Sequence, residues 1–136
     1  MITLGAVKAR MKRKQIKQIA GENFIEPERI LALIPYLERF RNEQFLFGIY
    51  ESPRVWTVLS VRYLFGCYGG DPFSLRIRER ANEVHTYVQQ AGTKMVSDVR
   101  LRDGNTVWMK SVGMSSLFQN MLLLLQDLPD DVVLEE

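Results

Sequence analysis

The spacing of hydrophobic and polar residues changes near residue 45, and this change divides the chain into a helical part and a β-rich part. Before it, apolar residues such as Val7, Met11, Ile16 and Ile19 recur at roughly helical spacing. After it, apolar and polar residues alternate, as they do in strands that bury one face. The pattern predicts N-terminal helices followed by a sheet.

Two helices are expected before the sheet. The first covers residues 4–20, although the step from Met11 to Ile16 breaks the 3.6-residue period. The second extends from Pro27, a residue well suited to a first helical turn, to about residue 42. Pro35 lies inside this second helix and should bend or split it, because proline removes one backbone hydrogen bond.

Six strands are expected, near residues 45–51, 55–65, 73–80, 84–89, 96–102 and 106–112. Their short connections predict antiparallel hairpins. In the last hairpin, a three-residue turn over 103–105 pairs Val99 with Met109 and Arg100 with Trp108. This register gives better side-chain pairs than a two-residue turn, and Asn105 tolerates the left-handed backbone that such a turn needs.

A closing helix follows the sheet, with Ser115 and Ser116 as natural N-caps and Pro129 as its end. It is apolar around much of its circumference, so it should be buried against the sheet or shared with a second copy of the chain. The fold class expected is therefore α+β: two N-terminal helices, a roughly six-stranded antiparallel curved meander and one C-terminal helix packed on the sheet. Helices would cover one face and leave the other open.

The 136 residues fit a single domain with an ordinary core, since 46% of them are hydrophobic and 25% are charged. Within it we expect a basic helical or mobile arm over 1–20, an α+β core over 21–128 and an acidic tail over 129–136. Net charge is only +2, so no global field indicates nucleic acid.

Charge is nevertheless uneven along the chain. Residues 1–17 carry six bases and no acid, whereas residues 127–136 carry five acids and no base. The basic segment can contact nucleic acid, an anionic membrane surface, an acidic partner or the acidic tail of another subunit. A solvated basic helix explains it equally well.

Cys67 is the only cysteine, which excludes an internal disulfide and suits a reducing cytoplasm. Apolar stretches such as 121–125 are much shorter than a membrane span, so we expect no transmembrane insertion. His85 is the only histidine, and no motif marks a metal site or a cofactor, so we expect neither.

Arginines at alternate positions of the expected strands would form a row on the open face of the sheet. A guanidinium group binds carboxylate or phosphate in a bidentate manner and stacks on aromatic rings. The candidate binding residues are Arg54, Trp56, Arg62, Arg76, Arg78, Arg100, Arg102 and Trp108. The same arginines would also suit a merely solvated face.

We therefore expect a non-enzymatic, cytoplasmic and homodimeric binding module that uses this face to bind an anionic partner. That partner is either an acidic protein surface or nucleic acid, and a chaperone-like accessory protein for one specific protein fits the sequence equally well. The alternative is a small-ligand-binding or catalytic cup between the helices and the curved sheet. Its candidate lining residues are Tyr50, Tyr63, Cys67, Tyr68, His85 and Tyr87.

Overall fold

A computed structural model describes residues 4–92 and 97–128 of the chain. It confirms the α+β class, with helices before and after an antiparallel sheet. The strands are β1 (Phe24–Ile25), β2 (Phe45–Ser52), β3 (Val55–Ser60), β4 (Tyr63–Tyr68), β5 (Phe73–Arg76), β6 (Val99–Arg100) and β7 (Thr106–Val107). The α-helices are α1 (Leu4–Arg10), α2 (Arg13–Ala20), α3 (Ile30–Leu33), α4 (Ile77–Gln90) and α5 (Val112–Leu125).

The first predicted helix is interrupted where its apolar period breaks. Lys12 separates α1 from α2 and has a left-handed backbone, with φ of 51°. Met11 and Ile16 are both buried. Five residues of uninterrupted helix would turn these two side chains well away from each other, so the break lets both reach the core.

The second predicted helix is split at Pro35, as expected. α3 ends at Leu33, and a 3-10 helix over Pro35–Phe40 continues the segment in a new direction. The preceding strand β1 was not predicted, because two residues are too short to show a strand period. β1 pairs with β2 and adds an edge to the sheet.

The main sheet has five antiparallel strands in the order β1-β2-β3-β4-β5. One face packs on α1, α2, α4 and α5 through residues such as Phe47, Leu59 and Leu64. The opposite face packs on α3 and the 3-10 helix at Pro35–Phe40 through residues such as Trp56 and Phe65. The expectation of an open face was therefore wrong, because helical segments cover both sides.

The strand predicted over 84–89 was also wrong, and the strand predicted over 73–80 was right only as far as Arg76. β5 ends at Arg76, and the chain then forms α4. Ile77, Ala81 and Val84 are buried at helical spacing, and this burial decides the conformation in favour of a helix. Arg78 and Arg80 consequently lie on a helix instead of a strand.

The last hairpin forms a separate two-stranded sheet, with Val99 opposite Val107 and Arg100 opposite Thr106. The predicted register, with Val99 opposite Met109 and Arg100 opposite Trp108, was wrong by two residues. The turn occupies 102–104 instead of 103–105, because Gly104 takes the left-handed conformation, with φ of 92°.

Helix α5 begins one turn earlier than predicted. The Oγ of Ser111, rather than Ser115 or Ser116, caps it by accepting a hydrogen bond from the backbone N–H of Met114 at 3.1 Å. The burial of α5 against the sheet is confirmed: the rings of Phe118 and Phe47 lie 5.1 Å apart. Pro129 and the acidic tail lie outside the described residues.

Candidate functional site

Three of the candidate arginines already have contacts: Arg62 and Arg76 lie next to each other at one end of the sheet, and Arg54 lies at the other end. Arg54, in the β2–β3 turn, donates a hydrogen bond from Nη2 to the carbonyl oxygen of Gly69. The Nη1 of Arg62 lies 3.9 Å from Oε2 of Glu43. The guanidinium of Arg76 lies 5.7 Å from the centre of the Tyr63 ring. The structure therefore separates Arg54 from the other two.

Both candidate tryptophans are buried. Trp56 packs against Tyr36 under the 3-10 helix at Pro35–Phe40, and its Nε1 donates to the carbonyl oxygen of Pro53 at 3.2 Å. Only 2% of Trp56 and 8% of Trp108 is exposed. The prediction that Trp56 and Trp108 contact a partner was therefore wrong, because neither ring has enough exposed surface for a partner to stack on it.

Arg100 and Arg102 are exposed on the β6–β7 hairpin and border one concave surface. This surface, the α4–hairpin groove, lies between one side of α4 and the hairpin and encloses about 390 Å³. Its lining residues are Glu83, Thr86, Tyr87, Gln90, Arg100, Leu101 and Arg102. Arg78 is exposed on α4 but does not line the groove.

A network of charged groups holds the hairpin against α4. Glu83, only 8% exposed, accepts hydrogen bonds from Nε of Arg80 at 2.7 Å and from Nη2 at 3.3 Å. The backbone N–H of Arg102 donates to the same carboxylate at 3.0 Å. Arg80 also contacts Oδ2 of Asp103 in the hairpin turn at 3.1 Å. These contacts fix the position of the hairpin relative to α4, and so fix the two sides of the groove.

These contacts keep the acidic groups of the network ionised. The hydrogen bonds from Arg80 hold the pKa of Glu83 below its ordinary value, with the N–H of Arg102 adding to the effect against the opposing influence of burial. The pKa of Asp103 is lowered mainly by a hydrogen bond from the backbone N–H of Asn105. The hydrogen bond to Glu83 raises the pKa of Arg80, which stays cationic.

Tyr87 is the one residue of the predicted cup that reaches the groove, where 36% of it is exposed. The other five lie elsewhere: Tyr50 on β2, Tyr63, Cys67 and Tyr68 on β4, and His85 on α4. The space between the helices and the sheet is filled by two clusters of packed apolar side chains. The six predicted cup residues do not share a cavity.

Cys67 and His85 do not form a nucleophilic pair. Cys67 packs with Trp56 and Phe65 on one face of the sheet, whereas α4, which carries His85, packs on the opposite face. Burial raises the pKa of the Cys67 thiol, and its Sγ lies 3.4 Å from the carbonyl oxygen of Gly70. A thiol of this kind is a poor nucleophile.

Sequence reasoning missed Glu83, Thr86 and Gln90 as lining residues. Together with Tyr87 they occur at spacings of three, four and seven residues, which is one side of a helix. The signal was present in the sequence, but it is visible only once 77–90 is recognised as a helix.

Comparisons with known proteins give no match: no family model fits the chain, and no curated protein or solved structure is significantly similar to it. Within residues 4–92 and 97–128, no group of three or more His, Cys, Asp or Glu side chains is placed to hold a metal ion. In the same part of the chain, none of the helices combines the length and the apolar character needed to cross a bilayer.

Proposed function

We propose that this protein is a non-enzymatic binding module that receives an acidic segment of a partner protein in the α4–hairpin groove. One observation carries the proposal. In the described part of the chain, the side chains of Arg100 and Arg102 form no ion pair, whereas Arg62 and Arg80 contact carboxylates of their own chain. Two exposed arginines at one groove are available to a carboxylate from outside.

The surroundings of the two arginines also favour binding of a protein partner at the groove. Arg102 is fixed at its backbone by Glu83, and Arg100 follows the paired residue Val99 in β6. Tyr87 supplies a large, partly exposed ring at the same groove. Arginine and tyrosine are among the residue types that contribute most of the binding free energy at protein interfaces.

A protein partner fits the charges better than nucleic acid does. Glu83 and Asp103 lie beside the arginines, so the groove is not uniformly basic. A nucleic-acid surface needs an extended run of cations, and single-strand binders add exposed rings for stacking. Trp56 and Trp108 are buried and cannot serve that purpose.

The test is a binding titration with a fluorescein-labelled hexaglutamate peptide and with a single-stranded DNA oligonucleotide at low salt. The variant R100Q/R102Q removes both groove cations. The control R29Q/R78Q removes the same charge from exposed arginines that do not line the groove. If each exposed ion pair contributes about 0.7 kcal/mol, the first variant should bind the peptide about tenfold more weakly.

The control variant should change the affinity for the peptide by less than about twofold, because it leaves the groove intact. Equal losses in the two variants would show that only overall charge matters and would refute the proposal. Tighter binding of the oligonucleotide, lost in R100Q/R102Q, would replace the protein partner with nucleic acid. Homodimerisation and a cytoplasmic location stay predictions from the sequence.

A further inference from the structure

A second concave surface lies between the α1–α2 bend and helix α5, apart from the α4–hairpin groove. This surface, the α2–α5 cavity, encloses about 480 Å³, which is within the range of small-molecule sites. Its lining residues are Arg10, Met11, Lys12, Gln15, Ile19, Gly113, Ser116, Leu117 and Asn120. None of them lines the α4–hairpin groove.

The charge of the α2–α5 cavity is purely positive. Arg10 and Lys12 are its two ionic groups, and no lining residue is acidic. In the described part of the chain, neither side chain forms an ion pair or a hydrogen bond. Their neighbours Arg13 and Lys17 differ, because both contact the carboxylate of Glu26. The structure thus pairs Arg13 and Lys17 with Glu26 and leaves the two cations of the cavity unpaired.

Uncharged groups complete the lining. Gln15, Ser116 and Asn120 offer side-chain hydrogen-bond donors, with Ser116 and Asn120 one turn apart on α5. Partly buried Ile19 and Leu117 provide apolar surface between them. A ligand that matches this lining has one strongly anionic group and an apolar body.

Helix α5 and helix α2 approach each other closely at one end of the cavity. A Cβ at Gly113 would lie 3.3 Å from Cγ2 of Ile19, so the two helices are in tight contact there. At the other end, the left-handed backbone of Lys12 turns α1 away from α2. The cavity is therefore a consequence of the bend, and both cations lie at or next to it.

We propose that the α2–α5 cavity binds a small organic molecule carrying a phosphate group. Arginine can bind phosphate oxygens in a bidentate manner, lysine adds a point charge, and hydroxyl and amide donors satisfy the remaining oxygens. The apolar body of the ligand rests on Ile19 and Leu117. This site is independent of the α4–hairpin groove, so either proposal can fail without the other.

The test uses phenyl phosphate as the probe, with inorganic phosphate and phenol as its two halves. Titration of ¹⁵N-labelled protein, followed by NMR, should shift backbone amides of residues that line the cavity. Phenyl phosphate should bind at least about fivefold more tightly than either half, because it uses both the cations and the apolar surface. Equal binding of bare phosphate would overturn the organic ligand class.

Two comparisons between variants separate the site from overall charge. R10Q and K12Q should each weaken phenyl phosphate binding at least about fivefold. The control K14Q removes the same charge from a residue that does not line the cavity, and it should change the affinity less than about twofold. N120D places a carboxylate in the cavity and should abolish binding. The control N82D places a carboxylate at an exposed position of α4 and should leave binding unchanged.

Equal effects of the cavity variants and their control, in either comparison, would overturn the site. Far-ultraviolet circular dichroism of each variant checks that the fold is retained. An absence of amide shifts at millimolar phenyl phosphate would also overturn it.

Discussion

Replacing Glu83 by Gln tests the network that fixes the wall of the α4–hairpin groove. The substitution keeps the shape of the side chain and removes its charge. Glu83 is buried and accepts hydrogen bonds at 2.7 Å and 3.3 Å from Arg80 and at 3.0 Å from the backbone N–H of Arg102. Glutamine retains one acceptor oxygen and turns an amide N–H₂ towards a donor, so at least one of these bonds must be lost.

The magnitude follows from the kind of bond lost. A hydrogen bond to a charged group contributes about 1.5–3 kcal/mol net, so E83Q should destabilise the protein by about 2 kcal/mol. The cost stays below the roughly 3–5 kcal/mol of breaking a fully buried ion pair, because Arg80 is 30% exposed and keeps Asp103 as a partner. With a urea m-value of about 1.5 kcal/mol/M, the midpoint of unfolding should fall by about 1.3 M.

The assay is urea unfolding at pH 7, followed by the fluorescence of the buried residues Trp56 and Trp108. The matched control is E79Q, the same substitution on the same helix. Glu79 is 63% exposed and its Oε1 lies 4.0 Å from Nε of Arg76, so its loss should cost less than about 0.5 kcal/mol. A midpoint for E83Q no lower than that for E79Q would refute the role assigned to the network.

Three further predictions concern acid stability, packing and thiol reactivity. The folded-state pKa of Glu83 is lowered from its ordinary value of 4.5, so its stabilising effect is complete above that value and disappears as the pH falls through the folded-state pKa. The urea midpoints of wild type and E83Q should therefore converge in acid. A constant difference between them would contradict this. G66A should lose about 1–3 kcal/mol in thermal or urea unfolding, since its Cβ would lie 2.6 Å from Cζ of Phe73, whereas the control G70A meets nothing within 4 Å; equal stability of the two would disprove the close packing. Alkylation of Cys67 by iodoacetamide should be at least about 100-fold slower in native protein than in urea, because the thiol is buried and its pKa is raised; rapid native labelling would show an open site.

The sequence was sufficient for the features that depend on local backbone chemistry. Pro35 splits its helix, as predicted, because it lacks an N–H. A single helix was expected over 4–20, and its interruption coincides with the break in the apolar period between Met11 and Ile16. The burial of α5 followed from its apolar circumference. Each of these signals lies within a few residues of the feature it predicts.

Features set by packing between distant segments were missed. The alternation at Leu75 and Ile77 continued a strand period that burial of Ala81 and Val84 overrides in favour of α4. Trp56 was placed on an open face because the covering segment is distant in sequence. The nearly continuous apolar run of β3 was a signal for burial on both faces, and it was available in the sequence.

The candidate site was predicted only in part for the same reason. Arg100 and Arg102 were identified from their exposed positions in a strand, and the structure places both at the α4–hairpin groove. Thr86 and Gln90 reach that groove only because 77–90 is helical. Arg54 and Arg62 were grouped with them on the assumption of one flat face, which the structure does not have.

The most direct test of the central claim is the location of the bound acidic segment. ¹⁵N-labelled protein titrated with hexaglutamate at low salt should show its largest amide shifts over residues 86–90 and 100–102, on the two walls of the α4–hairpin groove. Shifts concentrated on α1 and α2, or distributed over Arg54, Arg62 and the other basic residues alike, would contradict the assignment of this groove as the binding site.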